Sequence, residues 1–311
     1  MKAYITMASV AALSVGLLID MPAAADPFVF STGNPDTLLG ALSQPASPGK
    51  IETETADDFV LTEATVISRA TIHGLIIPSG VPVSSITQVE IETYHVFPAD
   101  SDTARTPGVP TRMNSPADVE IGAATRDSSD TTLGFGATLL NANFKVLNTV
   151  VNGISGTKPF TGGEGAATGG EVEIDITFTP PIFLPAGHYF FRPEVEVTDG
   201  NFLYLSAPKP IVPNPFPLGV TDLQAWIRNS NLKPDWLRIG TDITHSGPFN
   251  MTFSLAGDTI PGAGTPGQPN CTGKTVSAMA HEFGGIHQAA LSLGFFSVDA
   301  LQDGIAVFCQ R

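Results

Sequence analysis

Val172, Ile174, Ile176 and Phe178 alternate with Glu171, Glu173, Asp175 and Thr177, and this period of two dominates residues 28–255. Such a strand has one apolar face to bury and one polar face to wet. The pattern recurs where Tyr189, Phe191, Val195 and Val197 alternate with His188, Arg192, Glu194 and Glu196. It recurs again with Val89 and Ile91 against Glu90 and Glu92, and with Phe249, Met251, Phe253 and Leu255 against Asn250, Thr252 and Ser254. Further strands are expected at 58–61, 66–77, 138–147 and 202–206, and a short helix at 223–228. Turn chemistry punctuates them at Pro78-Ser79-Gly80, Pro185-Ala186-Gly187 and Asp199-Gly200-Asn201. About nine strands, each with one wet face, predict a mainly β fold: an antiparallel two-sheet β-sandwich of jelly-roll or immunoglobulin-like type.

The period changes near the C-terminus. Val276, Met279, Ala280 and Phe283 recur at helical spacing until Gly284-Gly285. Ile286, Ala289, Ala290 and Leu293 repeat it until Gly294, and Ser297 reads as the N-cap of a third helix carrying Val298, Leu301, Ile305 and Phe308. So small a helical module has little core of its own. A bridge between Cys271 and Cys309 would close it end to end. The chain-entropy relation assigns such a loop about 4 kcal/mol. The Gly/Pro-rich stretch before it reads as a linker with too little apolar area to order itself. The expected domains are a leader at 1–25, the β domain at 26–257, the linker at 258–272 and the helical module at 273–311.

The leader rests on Lys2, an uncharged apolar run over residues 3–19, the break at Pro22, and Ala23-Ala24-Ala25 before Asp26. This is the layout of a cleaved signal peptide, so a secreted protein, extracellular or periplasmic, with no membrane span after cleavage, is expected. An oxidising compartment suits the Cys271–Cys309 pair. The net charge of −15 would repel nucleic acid and anionic membranes alike.

The stretches STGNPD (31–36), KIETETADDFVLTEAT (50–65), LPAGHYFF (184–191), LSAPKPIV (205–212), WIRNSNLKPDWLRIGTDI (226–243) and SLAG (254–257) resemble a group of secreted bacterial β proteins of unknown function. Some members of that group end in exosortase-type, PEP-CTERM-like sorting tails. The resemblance implies a secreted β domain and brings no catalytic residues with it. This sequence closes on Phe308-Cys309-Gln310-Arg311 without such a tail, so anchoring by that route is not expected. LGFFSVDALQDGIAVF (293–308) has a likeness to peptidoglycan-binding helical repeats but lacks their Asp-Gly-x-Phe-Gly-Pro run.

Catalytic motifs fail on spacing. His281-Glu282 lacks a second histidine four residues on, the spacing a zinc-protease helix needs, since His287 lies past Gly284-Gly285. No G-x-S-x-G elbow occurs, and Ser155 sits in a Gly-rich turn. His73, His95 and His188 lie in or at strands and would meet at a metal only if those strands are neighbours; isolated histidines are the alternative. Glu90 with Glu92, Glu171 with Glu173 and Asp175, and Glu194 with Glu196 each share a strand face, as a glycosidase pair requires and as any solvated strand also shows.

Two sets of residues are the candidate sites. Asp100, Asp102, Asp127 and Asp130, with Asp57 and Asp58, lie in or beside Ser/Thr-rich segments and offer oxygen ligands to a structural Ca²⁺. Trp226 and Trp236, with Arg228 and Arg238, would bind a sugar if the indoles are exposed, or plug the end of the core if they are not. The expected function is therefore a non-enzymatic extracellular matrix or polysaccharide-binding protein. The alternative is a glycan-active hydrolase or lyase on the same scaffold.

Overall fold

The computed structural model describes residues 26–208 and 222–310; the leader expected at 1–25 lies outside them. The protein is mainly β, with two sheets and three C-terminal helices among the described residues. The first sheet runs β1 (Pro27–Ser31), β15 (Phe253–Thr259), β4 (Thr65–Ile77), β11 (Asn201–Ala207), β2 (Leu39–Leu42) and β8 (Asn148–Val150). On its flanks β9 (Ala167–Leu184) pairs with β4, β7 (Leu133–Val146) with β9, and β14 (Asn250–Met251) with β11. The second sheet runs β13 (Leu237–Arg238), β12 (Trp226–Asn229), β3 (Thr53–Leu61), β10 (Gly187–Val197), β5 (Ile86–His95) and β6 (Arg126–Asp127). The sheets are not wholly antiparallel as expected, because β2 and β8 pair in parallel.

The main apolar core draws on both sheets: Ile72, Ile174 and Phe253 from the first, Phe59, Val89 and Phe191 from the second. Phe191 stacks on Phe253 with ring centroids 5.0 Å apart. Alternation built β9 of the first sheet as expected, with Val172, Ile174 and Ile176 buried. The second sheet departs from it. Every residue of β3 is buried, and so are Arg192 and Glu194 of β10. Its outer face is roofed by Trp226 and Trp236, packed on Ala56, Tyr94 and Phe190 with Val96 and Leu223. The helix expected at 223–228 is instead extended chain leading into β12, whose Trp226 and Ile227 pair with Ala56 and Thr55.

The helices match their sequence signals. Helix α1 (Cys271–Phe283) ends on Gly284 in the left-handed region, α2 (Ile286–Ser292) follows, and α3 (Val298–Cys309) starts where Ser297 accepts the Ala300 amide at 3.0 Å. Cys271 and Cys309 form the expected disulfide. The helices pack on the first sheet: Met279, Leu301 and Phe308 share a core with Val66 and Phe183, and Phe308 stacks on Phe183 at 4.0 Å. The stretch expected to stay structureless is tied down as well. Ile260 is buried in that core, its amide donates to Ala64 O, and the Gly267 amide donates to Cys309 O. Among the described residues no helix is long and apolar enough to cross a membrane.

Candidate functional site

The pairing of β12 with β13 sets Trp226 opposite Arg238. Beside them lies an open hollow of about 310 Å³, lined by both residues and by Asn114, Asp222, Gln224 and Met113. Its polar groups are positioned by neighbours. Arg238 forks onto Asp242 at 2.6 and 3.0 Å, Asn250 donates to Asp222 at 3.1 Å, and Thr241 donates to Gln224 at 2.5 Å. The Trp226 ring is only 1% exposed, and its indole N–H, a strong donor, has no hydrogen-bond partner among the described residues. This edge of the six-stranded sheet thus presents a carboxylate, two amides and a guanidinium around an open depression.

Trp236 and Arg228 do not reach the hollow's lining. Trp236 is also 1% exposed, donates to Ala117 O at 3.3 Å and meets Tyr94 edge to face. Arg228 lies over the Trp236 ring at 4.2 Å and forks onto Glu54, with which Tyr94 also bonds. The burial of both indoles follows the core-plugging alternative. Around Glu54 runs an ionic network that alternation alone assigned to solvent. Arg192 contacts Glu54 at 3.3 Å, Glu194 at 2.8 Å and Glu92 more closely still. Burial would raise the Glu54 carboxyl, but the Arg192 and Arg228 charges and the Arg228 hydrogen bonds outweigh it and hold it at about 2. Burial wins at Glu194, which is pushed well up despite Arg192, and at Glu90, pushed up to about 7.

Glu52, Glu54 and Glu194 bring three carboxylate oxygens within 4.8 Å of one another, and among the described residues they are the group of three or more potential ligands that does so. Arg192 and Arg228 already supply the positive charge there. The aspartates expected to hold Ca²⁺ are spread over separate turns. Asp102 accepts the Ala104 amide and Asp100 pairs with His95. Asp127 accepts from Ser129 N and Gln88, and Asp130 from Thr132. Asp57 and Asp58 are buried in β3, where Asp57 accepts the Met251 amide and Asp58 pairs with His188 at 2.5 Å. The three strand histidines likewise take different carboxylates: His95 with Asp100, His188 with Asp58, and His73 with Glu173 at 3.6 Å.

That last pair sits in a polar cleft of about 240 Å³ on the first sheet, lined by Thr71, His73, Glu173, Asp175, Asn34 and Ser254. Burial lowers the His73 imidazole against the pull of Glu173 and Asp175, favouring its neutral form. Glu171 and Asp258 are raised by burial in the same sheet. Neither cleft nor hollow could be drawn from linear spacing. His73 meets Glu173 only through the register of β4 on β9, and Asn114 arrives from a loop distant in sequence from Trp226. Comparisons with family models, curated proteins and solved structures return no match for this chain.

Proposed function

We propose that this chain is a secreted, non-enzymatic β-sandwich of jelly-roll or immunoglobulin-like type that binds polysaccharide of the extracellular matrix at the Trp226 hollow. The observation that carries the reading is the hollow itself. A sugar presents a dense array of hydroxyls, each both donor and acceptor, and planar carboxylate, amide and guanidinium groups answer them in pairs. Asp222, Asn114, Gln224 and Arg238 provide such groups around about 310 Å³, a size that suits one or two rings. With its ring and its N–H both covered, Trp226 serves as a wall of the hollow rather than as a stacking platform or a donor to the sugar. The signal-peptide layout of residues 1–25 and the resemblance to secreted bacterial β proteins support an extracellular setting.

The test is retention of residues 26–311 on a panel of plant and bacterial polysaccharides, with and without Ca²⁺, with new reducing ends recorded in parallel. Retention that falls at least tenfold in Gln224→Ala and Asn114→Ala supports the reading. No retention on any polysaccharide, or retention indifferent to both variants, would sink it. A second reading, a glycan-active hydrolase or lyase, is favoured by Glu173 and Asp175 sharing one strand face in the His73 cleft. New sugar ends that vanish in Glu173→Gln would put that reading in place of the first. Glu194, another of the strand-face carboxylates offered by the sequence, is buried against Arg192 and out of reach of a sugar.

A further inference from the structure

Two adjacent rungs of the first sheet carry polar side chains in register on one face. In one rung Ser31, Ser254, Thr71 and Asp175 stand side by side on β1, β15, β4 and β9. In the next, His73 stands opposite Glu173. Alternate residues of a strand share a face, so Thr71 with His73 and Glu173 with Asp175 all project away from the core that Ile72 and Ile174 enter. His73 Nε2 and Glu173 Oε2 are 3.6 Å apart. That is long for a hydrogen bond, which prefers 2.7–3.2 Å. It is close to the spacing of two ligands on one tetrahedral zinc, about 3.4 Å for bonds of about 2.1 Å.

We propose that this cleft is a binding site for a divalent transition-metal ion of the zinc class, held by His73 Nε2 and the Glu173 and Asp175 carboxylates. An imidazole with two carboxylates selects such an ion over Ca²⁺ or Mg²⁺, which seek oxygen-only shells. The charges fit. Two carboxylates and an imidazole call for two positive charges, and no lysine or arginine lines the cleft. The Glu52, Glu54 and Glu194 group differs here, because arginines fill it. Thr71 Oγ1 donates to Asp175 Oδ1 at 3.0 Å, an outer-shell bond of the kind that orients a ligating carboxylate while Oδ2 turns to the ion. The three donors do not all lie within 4.8 Å of one another, so Asp175 closes on the ion by a side-chain rotation as it enters. Water completes the fourth position, with Ser254 and Asn34 on the rim to hold it.

The site is separate from the Trp226 hollow and does not depend on sugar binding. The test titrates residues 26–311, freed of metal by chelator, with Co²⁺ and then Zn²⁺. Visible absorption of Co²⁺ reports its coordination, and calorimetry gives stoichiometry and affinity. The expected result is one equivalent bound, displaced by Zn²⁺, with affinity lowered at least tenfold in His73→Gln and in Glu173→Gln while melting in chelator is unchanged. Glu173 is partly exposed, so its variant carries the test if His73→Gln does not fold. Absence of uptake by the unaltered protein would overturn the proposal. So would binding unchanged in both variants, or binding lost instead in His281→Ala, which would place the ion on the helices.

Discussion

Replacing Glu54 with glutamine removes the anion on which Arg192 and Arg228 converge. The gap between its folded value of about 2 and the ordinary 4.5, at ~1.36 kcal/mol per pH unit, gives about 3 kcal/mol of folding stability near neutral pH. Breaking a buried ion pair by deleting one partner gives a similar figure, about 3–5 kcal/mol. The sign follows from the direction of the shift. A depressed carboxyl stabilises fully above its unfolded value, and that contribution disappears as pH falls from about 4.5 toward 2. Urea unfolding of Glu54→Gln should therefore show a loss of about 3 kcal/mol near pH 7, narrowing toward zero as pH approaches about 2. A loss under about 1 kcal/mol near neutrality, or a gap of constant size down to about pH 3, would refute the reasoning. The first result would mean that the two arginines are satisfied without the Glu54 charge, and the second that the loss does not come from ionisation of its carboxyl.

Asp58 works in the opposite sense: burial, opposed by the His188 hydrogen bond, raises it from 3.8 to about 6, so stability falls by about 3 kcal/mol as pH climbs through that window. Together with Glu54 this predicts a melting temperature that peaks near about pH 4–5, and a curve still rising at about pH 8 would contradict it. Phe308→Ala deletes a buried ring stacked on Phe183 and should cost about 3–5 kcal/mol, exposing residues 258–272 to protease while the sheets persist. Protease resistance equal to that of the unaltered protein would show that Phe308 does not hold the helices down. Gly74→Ala places a methyl carbon 1.9 Å from a Phe202 ring atom, so the β4–β11 seam must shift at a cost of about 1–3 kcal/mol, and an unchanged melting temperature would disprove the contact. Reduction of the Cys271–Cys309 bridge, 38 residues apart, should speed amide exchange in α1–α3 by an amount corresponding to at most about 4 kcal/mol, with β4 and β9 unaffected.

The helices were legible almost residue by residue, because Gly284, Gly294 and Ser297 are local stop and start signals that need no tertiary information. The strands were legible by period. Their surroundings were not: a period of two separates the faces without saying whether the polar one meets water or another part of the chain. Arg192, Glu194 and Glu54 alternate like solvent-facing residues, yet they are sealed beneath Trp226 and Trp236 by chain from far along the sequence. Alternate opposite charges at Glu90, Glu92, Arg192 and Glu194 were the available hint that such a face could neutralise itself. Short strands such as β2, four buried residues without alternation, gave no periodic signal at all. Of the four residues expected from the sequence to meet a sugar, proximity in sequence was enough to unite Trp226 with Arg238 across β12 and β13. It could not place Asn114 beside them, and it could not set His73 against Glu173, because both depend on register between distant segments.

The pairing of β1 with β15 joins residues more than two hundred positions apart: Thr32 accepts and donates across 221 residues to Phe253. Closing so long a loop is entropically slow, and a fold that needs it cannot finish until nearly all of its β region is present. A chain emerging N-terminus first would hold β1 and one margin of β4 unsatisfied until β15 arrives. Were the chain exported as proposed above, such late closure would keep it threadable until it had crossed the membrane. The same delay leaves bare strand edges that a holding chaperone would have to shield.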